Sequence, residues 1–280
     1  MEEALSIFSN RELAAGLWII IGLIFLLTYK PTRTAIKPVI RAFFQRRIIL
    51  MIILAIGYSV SMISLLRISG FWDVGLLKDS VYWFVGSGFV MLMNLNDASK
   101  ESRFFRNIIK DNLKLIIVLE FIVVFHQFNL LTELILLPIL IFFAVLQTVA
   151  ETQDRYGSVK RLIDWIMTFG AIVMLVLSVI DIIVDFNSFA NYSNLKSFLL
   201  PIILSITFIP FAYLLALHMN YEVLFVRLRF FLKNNENFRF AKYRILRKCG
   251  MSLSKIRSMS PKINDLYNGS TREEIEELLT

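Results

Sequence analysis

Lys30-Pro31-Thr32-Arg33-Thr34-Ala35-Ile36-Lys37-Pro38-Val39-Ile40-Arg41-Ala42-Phe43-Phe44-Gln45-Arg46-Arg47 carries six basic residues and no acid, between the apolar runs 13–29 and 48–66. Runs of about 18 or more apolar residues read as transmembrane helices. Short loops rich in Lys and Arg stay on the cytoplasmic side. The stretch therefore reads as a cytoplasmic loop between two membrane spans.

Working outward, the same alternation covers the chain. The candidate spans are 13–29, 48–66, 80–94, 115–128, 134–150, 162–184 and 196–217. The third and fourth are short against the roughly 20 residues a bilayer asks for. Between successive runs the basic residues number six, two (Arg67, Lys78), five (in 100–114), none, three (Arg155, Lys160, Arg161), one (Lys196) and finally twelve from Arg227 onward. Seven spans place the four most basic segments, those of six, five, three and twelve, in the cytoplasm, whereas deleting the third span would export 100–114. The expected fold is an all-α polytopic membrane protein of about seven transmembrane helices, N-terminus outside and C-terminus inside. Its expected division is a transmembrane domain, 1–222, and a basic, helical, cytoplasmic C-terminal domain, 223–280. Trp72, Tyr82 and Trp83 are expected at the outer interface, and Tyr29 and Trp165 at the inner one.

Composition agrees. The chain is 57% hydrophobic, with a mean hydropathy of +0.66 and a net charge of +8. Both hydrophobic figures exceed those of ordinary soluble domains. Cys249 is the sole cysteine, which excludes an intrachain disulfide and a cysteine metal cluster. Met1-Glu2-Glu3 lacks the basic start of a signal peptide, so the first run reads as a retained span. Two cytoplasmic loops have helical periodicity. Ile36, Val39, Ile40 and Phe43 share one face with Lys37 and Arg41 off it, and Phe104, Phe105, Ile108, Ile109 and Leu113 form a similar stripe. Helices of this kind lie on the membrane surface or extend a span inward.

Catalytic and cofactor motifs are absent, so neither an enzyme nor a cofactor is expected. His126 and His218 are the only histidines. Gly86-Ser87-Gly88 reads as small residues that let helices pack closely rather than as a nucleophile turn, which would need a base within reach. Ionisable groups inside the apolar runs point further. Glu120, within Ile116-Ile117-Val118-Leu119-Glu120-Phe121-Ile122-Val123-Val124, either faces a pathway or is a neutral, hydrogen-bonded group that fixes helix packing. Gln127 and His126 continue its polar stripe outward. Asp181 and Asp185, spaced i and i+4 at the outer end of the sixth span, either attract cations or are ordinary interfacial acids. Pro201 and Pro210 interrupt the seventh span and free backbone carbonyls there.

The tail is the second signal. Residues 227–264 hold eleven basic residues and one acid, Glu236. Arg227, Arg229, Lys233, Arg239, Lys242, Arg244, Arg247 and Lys248 alternate with Phe230, Phe231, Phe238, Phe240 and Tyr243. Charges that track phosphates and rings that stack on bases are the elements of single-stranded nucleic-acid binding. Attachment to anionic lipid uses the same charges. Ser270-Thr271-Arg272-Glu273 fits a capping box opening a short acidic helix, which is expected to dock on the basic region or on a neighbouring subunit.

The multi-span body, the outer segment Phe71-Trp72-Asp73-Val74-Gly75-Leu76-Leu77-Lys78-Asp79, the Glu120 span and the basic aromatic tail 227–248 together resemble the channel-like membrane effectors of bacterial Hailong-type anti-phage defence. The resemblance implies a homo-oligomeric protein of the bacterial inner membrane. It also implies a partner nucleotidyltransferase whose short DNA products hold the effector closed. The expected function is then a cytoplasmically gated ion channel or pore. Glu120, His126, Gln127, Asp181 and Asp185 would lie along its pathway, and the basic tail would take an oligonucleotide or nucleotide regulator. A secondary transporter using Glu120, and a membrane scaffold recruiting a partner through its tail, are the alternative expectations.

Overall fold

The computed structural model describes residues 8–95, 121–123, 125–152, 156–267 and 270–279. Glu120, the basic segment 100–114 and half of the expected fourth span lie outside the described residues. The described residues are helical and contain no strand. Among the described residues, five helices are long and apolar enough to cross a membrane: α1 (Asn10–Thr28), α3 (Arg46–Ile68), α6 (Leu130–Glu151), α7 (Gly157–Val184) and α9 (Tyr192–Phe231). They coincide with the expected first, second, fifth, sixth and seventh spans. The chain divides into two compact units, Met1–Ile53 with Lys114–Leu195, and Leu54–Leu113 with Lys196–Thr280.

In the first unit, α1 opens with a capping box. Ser9 Oγ accepts from Glu12 N, and Glu12 Oε2 accepts from Ser9 N. The helix stops at Tyr29, whose backbone is extended, and α2 (Lys30–Phe43) follows with Pro31 in its first turn. There the missing N–H costs nothing. None of the residues of α2 is buried, and its apolar and basic faces are segregated as expected of an interfacial helix. Asn129 caps α6 by accepting from Thr132 N. Helix α6 packs against both α1 and α7. Its first turn lies beside that of α1, since Asn10 Nδ2 donates to Phe128 O and Arg11 Nε to Glu133 Oε1. The two helices therefore run parallel. Trp18 Nε1, about two turns further along α1, donates to Leu134 O. The four-residue helix α8 (Phe186–Phe189) then turns the chain toward α9.

In the second unit, Gly70 ends α3 at φ +78, a conformation that favours glycine, and Phe71 N donates to Leu66 O. The expected third span is a continuous helical run with a π-bulge: α4 (Leu77–Trp83), a π-turn (Phe84–Gly88) and α5 (Phe89–Met93). Its length of about 25 Å falls short of a hydrocarbon core of about 30 Å. Gly86 and Gly88 mark the π-turn. A Cβ on Gly86 would meet nothing within 4 Å, so no close helix contact among the described residues explains that glycine. Trp83, expected at the outer interface, turns inward instead. It is 4% exposed, and its indole donates to Ser205 Oγ. Tyr58, Trp83, Phe208 and Phe211 form a ring cluster against α9. The Tyr58 hydroxyl donates to Thr207 O at 2.8 Å, one residue beyond Ile206, whose carbonyl Pro210 leaves without its helical partner.

Helix α9 departs furthest from expectation. The apolar run ends near Leu217, yet the helix continues to Phe231, 40 residues in all. That is about 60 Å, twice the hydrocarbon thickness of about 30 Å. Past the expected span, Leu224, Leu228 and Leu232 recur on one face and are buried. They join α10 (Asn235–Cys249), α11 (Leu253–Lys262) and α12 (Arg272–Leu279) in a small bundle. Its core includes Ala241, Ile245, Cys249, Ile256, Ile263, Leu266 and Ile275. Gly250, at φ +50, ends α10.

Candidate functional site

Two groups of functional side chains stand out, one in each unit. In the first unit His126 and Asp181, both expected along the pathway, meet: His126 Nδ1 lies 2.6 Å from Asp181 Oδ2. Ser178, one turn before Asp181, donates to Val123 O and holds this stretch against α7. His126 also accepts through its backbone carbonyl from Arg11 Nη2. Arg11 in turn grips Glu133, which is 1% exposed and also accepts from Phe128 N. Such a carboxylate is tolerated out of water because a guanidinium and an amide satisfy it. Gln127 is exposed beside this cluster.

Asp185 does not join them. It caps α8, accepting from Ser188 N and from the Ser188 hydroxyl. Those bonds hold its carboxyl below the usual carboxylate range. Glu120 lies outside the described residues. Arg11 and Glu133 were not expected site residues. The available signal was that each is a charge of opposite sign at the edge of an apolar run, on the same expected side of the membrane.

In the second unit the basic region is sorted by face around α10. Ala241, Ile245 and Cys249 point into the bundle core. Burial pushes the Cys249 thiol up, which makes it an inert core residue. The side toward α12 is neutralised: Arg244 pairs with Glu276, and Arg272 with Glu236. Both guanidiniums also lie over the Phe240 ring. The acidic C-terminal helix thus docks on the basic region. Its capping box is Thr271 with Glu274, one residue later than the sequence reading, because Ser270 Oγ is taken by Tyr267 N.

A third side of α10 faces the C-terminal half of α9 across an open groove of about 770 Å³. Arg229 stacks over Phe238 and Lys242 over Phe225, each cation 5.0 Å from the ring centroid. Arg227 donates to Ser260 Oγ on α11. The remaining face is open. Arg239, Tyr243 and Arg247 follow at i, i+4 and i+8, all exposed, with Tyr243 62% exposed. Lys233 and Lys248 are exposed as well. Of the eight expected ligand residues, the structure therefore brings Arg239 and Arg247 together around a free ring, and turns Arg227, Arg229 and Arg244 to contacts within the bundle.

No family model, curated protein or solved structure matches the chain. Among the described residues, the five apolar helices of membrane-crossing length suggest a membrane protein.

Proposed function

We propose that the chain forms a homo-oligomeric ion channel or pore of the bacterial inner membrane, gated from the cytoplasm through its C-terminal bundle. The observation that carries this reading is α9. One continuous helix holds Pro201 and Pro210 in its apolar half and the buried leucines of the basic bundle in its other half. A ligand that shifts the bundle acts directly on a membrane helix built to bend.

Seven spans with the N-terminus outside fit the polar pairs. Arg11–Glu133, His126–Asp181 and Asp73–Lys196 each join residues expected outside. Gln147–Asp164 and Lys160–Glu151 each join residues expected inside. The parallel α1 and α6 add a parity argument. If α1, α3 and α6 all cross, the chain between α3 and α6 crosses an even number of times. Six spans in all then fail. Seven keep 100–114 in the cytoplasm, and five do not. Homo-oligomerisation is proposed because α1, α6 and α7 leave much apolar surface that lipid or neighbouring copies must cover.

Glu120 and the outer His126–Asp181 pair are the proposed pathway groups. The Arg239–Tyr243–Arg247 face is the proposed contact for a short oligonucleotide, two guanidiniums for phosphates and one ring for a base. Ion flux into liposomes holding the purified chain, with and without oligonucleotide, tests this reading. Flux that the oligonucleotide changes is the expected result, and no flux in either condition defeats the proposal. Tyr243→Ala should raise the oligonucleotide concentration needed by about tenfold, the weight of one lost stacking contact.

A further inference from the structure

The groove between α9 and α10 belongs neither to the proposed oligonucleotide face nor to the outer cluster. Its walls are mostly apolar, with Leu214 and Leu217 at one end and Phe225 midway, and its charged groups are Arg229, Lys242 and Glu222. The cations exceed the acid by one. Leu214 is half exposed and lies within the expected seventh span, so the groove opens where α9 leaves the membrane. From Leu214 to Arg229 the helix rises about 22 Å, the length of one lipid in its leaflet, half of about 40–45 Å, so the groove is long enough to hold such a lipid drawn along α9 from the membrane edge. Val226, which lines the groove, is 64% exposed, and Phe230, one helical turn further on, is 78% exposed. Apolar side chains this open beside cations suit a ligand with a hydrocarbon part and an anionic part.

We infer that this groove binds one anionic phospholipid, with its phosphate at Lys242 and Arg229 and an acyl chain running along Phe225 toward Leu214. The two ring-stacked cations are held in place for the phosphate. The apolar end is continuous with the surface that α9 presents to the bilayer. The inference requires α9 to cross a membrane but requires no channel activity, so it stands or falls separately from the proposed function.

The test is native mass spectrometry of the full chain, extracted from bilayers of phosphatidylcholine mixed with phosphatidylglycerol. Phosphatidylglycerol is expected to stay bound in preference to phosphatidylcholine. Lys242→Gln should lower its retention about fivefold, at the usual weight of one basic residue near an anionic headgroup. Lys242→Arg should restore it. Leu214→Trp, at a half-exposed position that leaves the bundle core intact, should narrow the apolar end and expel the lipid. Equal retention of the two lipids, or retention unchanged in Leu214→Trp, would overturn the inference. So would displacement of the lipid by inorganic phosphate or by a short oligonucleotide, since either would mark the groove as a plain anion site.

Discussion

Along α1, α3 and α7 the large apolar side chains face outward, whereas in the C-terminal bundle they face inward. Ile20, Ile53 and Val176 are each at least half exposed, while Ile245, Ile263 and Ile275 are fully buried. The same residue types serve two solvents. Against lipid, apolar surface gains nothing by hiding, so helices there are joined by polar contacts and close packing. Against water, burial of apolar area is the driving force. The first unit should therefore depend on its few buried polar pairs, and the bundle on its core.

The largest effect is expected at Arg11. Replacing it with Met strands Glu133, which is 1% exposed. Removing one partner of a buried pair costs about 3–5 kcal/mol. Arg11 itself keeps a 28% exposed side chain, which favours the lower end of that range. Thermal unfolding in detergent should show a large loss in Arg11→Met and recovery of most of it in Arg11→Met with Glu133→Gln. If Arg11→Met behaves like Ile20→Ala, polar pairing does not hold this unit.

Next comes the bundle. Ile245→Ala should cost about 2–5 kcal/mol of local stability, as buried Ile-to-Ala changes do. Hydrogen exchange across α10 and α11 in the full chain reads it directly. Ile53→Ala, at a side chain 59% exposed in α3, should stay within about 0.5 kcal/mol. Equal effects at the two positions would break the contrast between lipid-facing and water-facing helices.

How much of this was legible follows from the same physics. The five long helices were legible because a lipid-facing helix is apolar on nearly all sides, and so forms an unbroken run in sequence. The continuation of α9 past Leu217 was not, because there Glu222, Arg227 and Arg229 interrupt the apolar run, and only Leu224, Leu228 and Leu232, one per turn, are buried. The partner of Glu133 was not legible either, since Arg11 lies 122 residues away. Of the site, the basic tail was visible as composition. Its division into a neutralised side, a groove and an open Arg239–Tyr243–Arg247 face needed the positions of α9 and α12. The capping box slipped by one residue because Ser270 with Glu273 and Thr271 with Glu274 both fit the spacing. A modest effect separates them. Thr271→Ala and Glu274→Ala should each weaken α12 by about 1 kcal/mol, and Glu273→Ala should not. Hydrogen exchange at α12 distinguishes these outcomes.

The smallest effect is expected where a polar pair meets water. Lys196 Nζ lies 3.0 Å from Asp73 Oδ2, with the lysine side chain 11% and the aspartate 58% exposed. The Lys196 hydrogen bond, aided by the Gly75 amide, holds the Asp73 carboxyl below its usual range. A carboxyl depressed in the folded state binds protons more readily once unfolded. The stability it contributes is therefore full above the ordinary carboxylate range and is lost as pH falls through the depressed value. Comparing the parent chain with Asp73→Asn isolates this group from every other carboxyl that titrates there. The difference in unfolding midpoint should be small and constant near neutral pH, then close as the solution becomes acidic. A difference that does not change with pH would mean that Asp73 acts only through its uncharged contacts, such as the cap it gives Gly75 N. In that case the polar pairs that matter are those sealed from water, as Arg11–Glu133 is, and not those left at its edge.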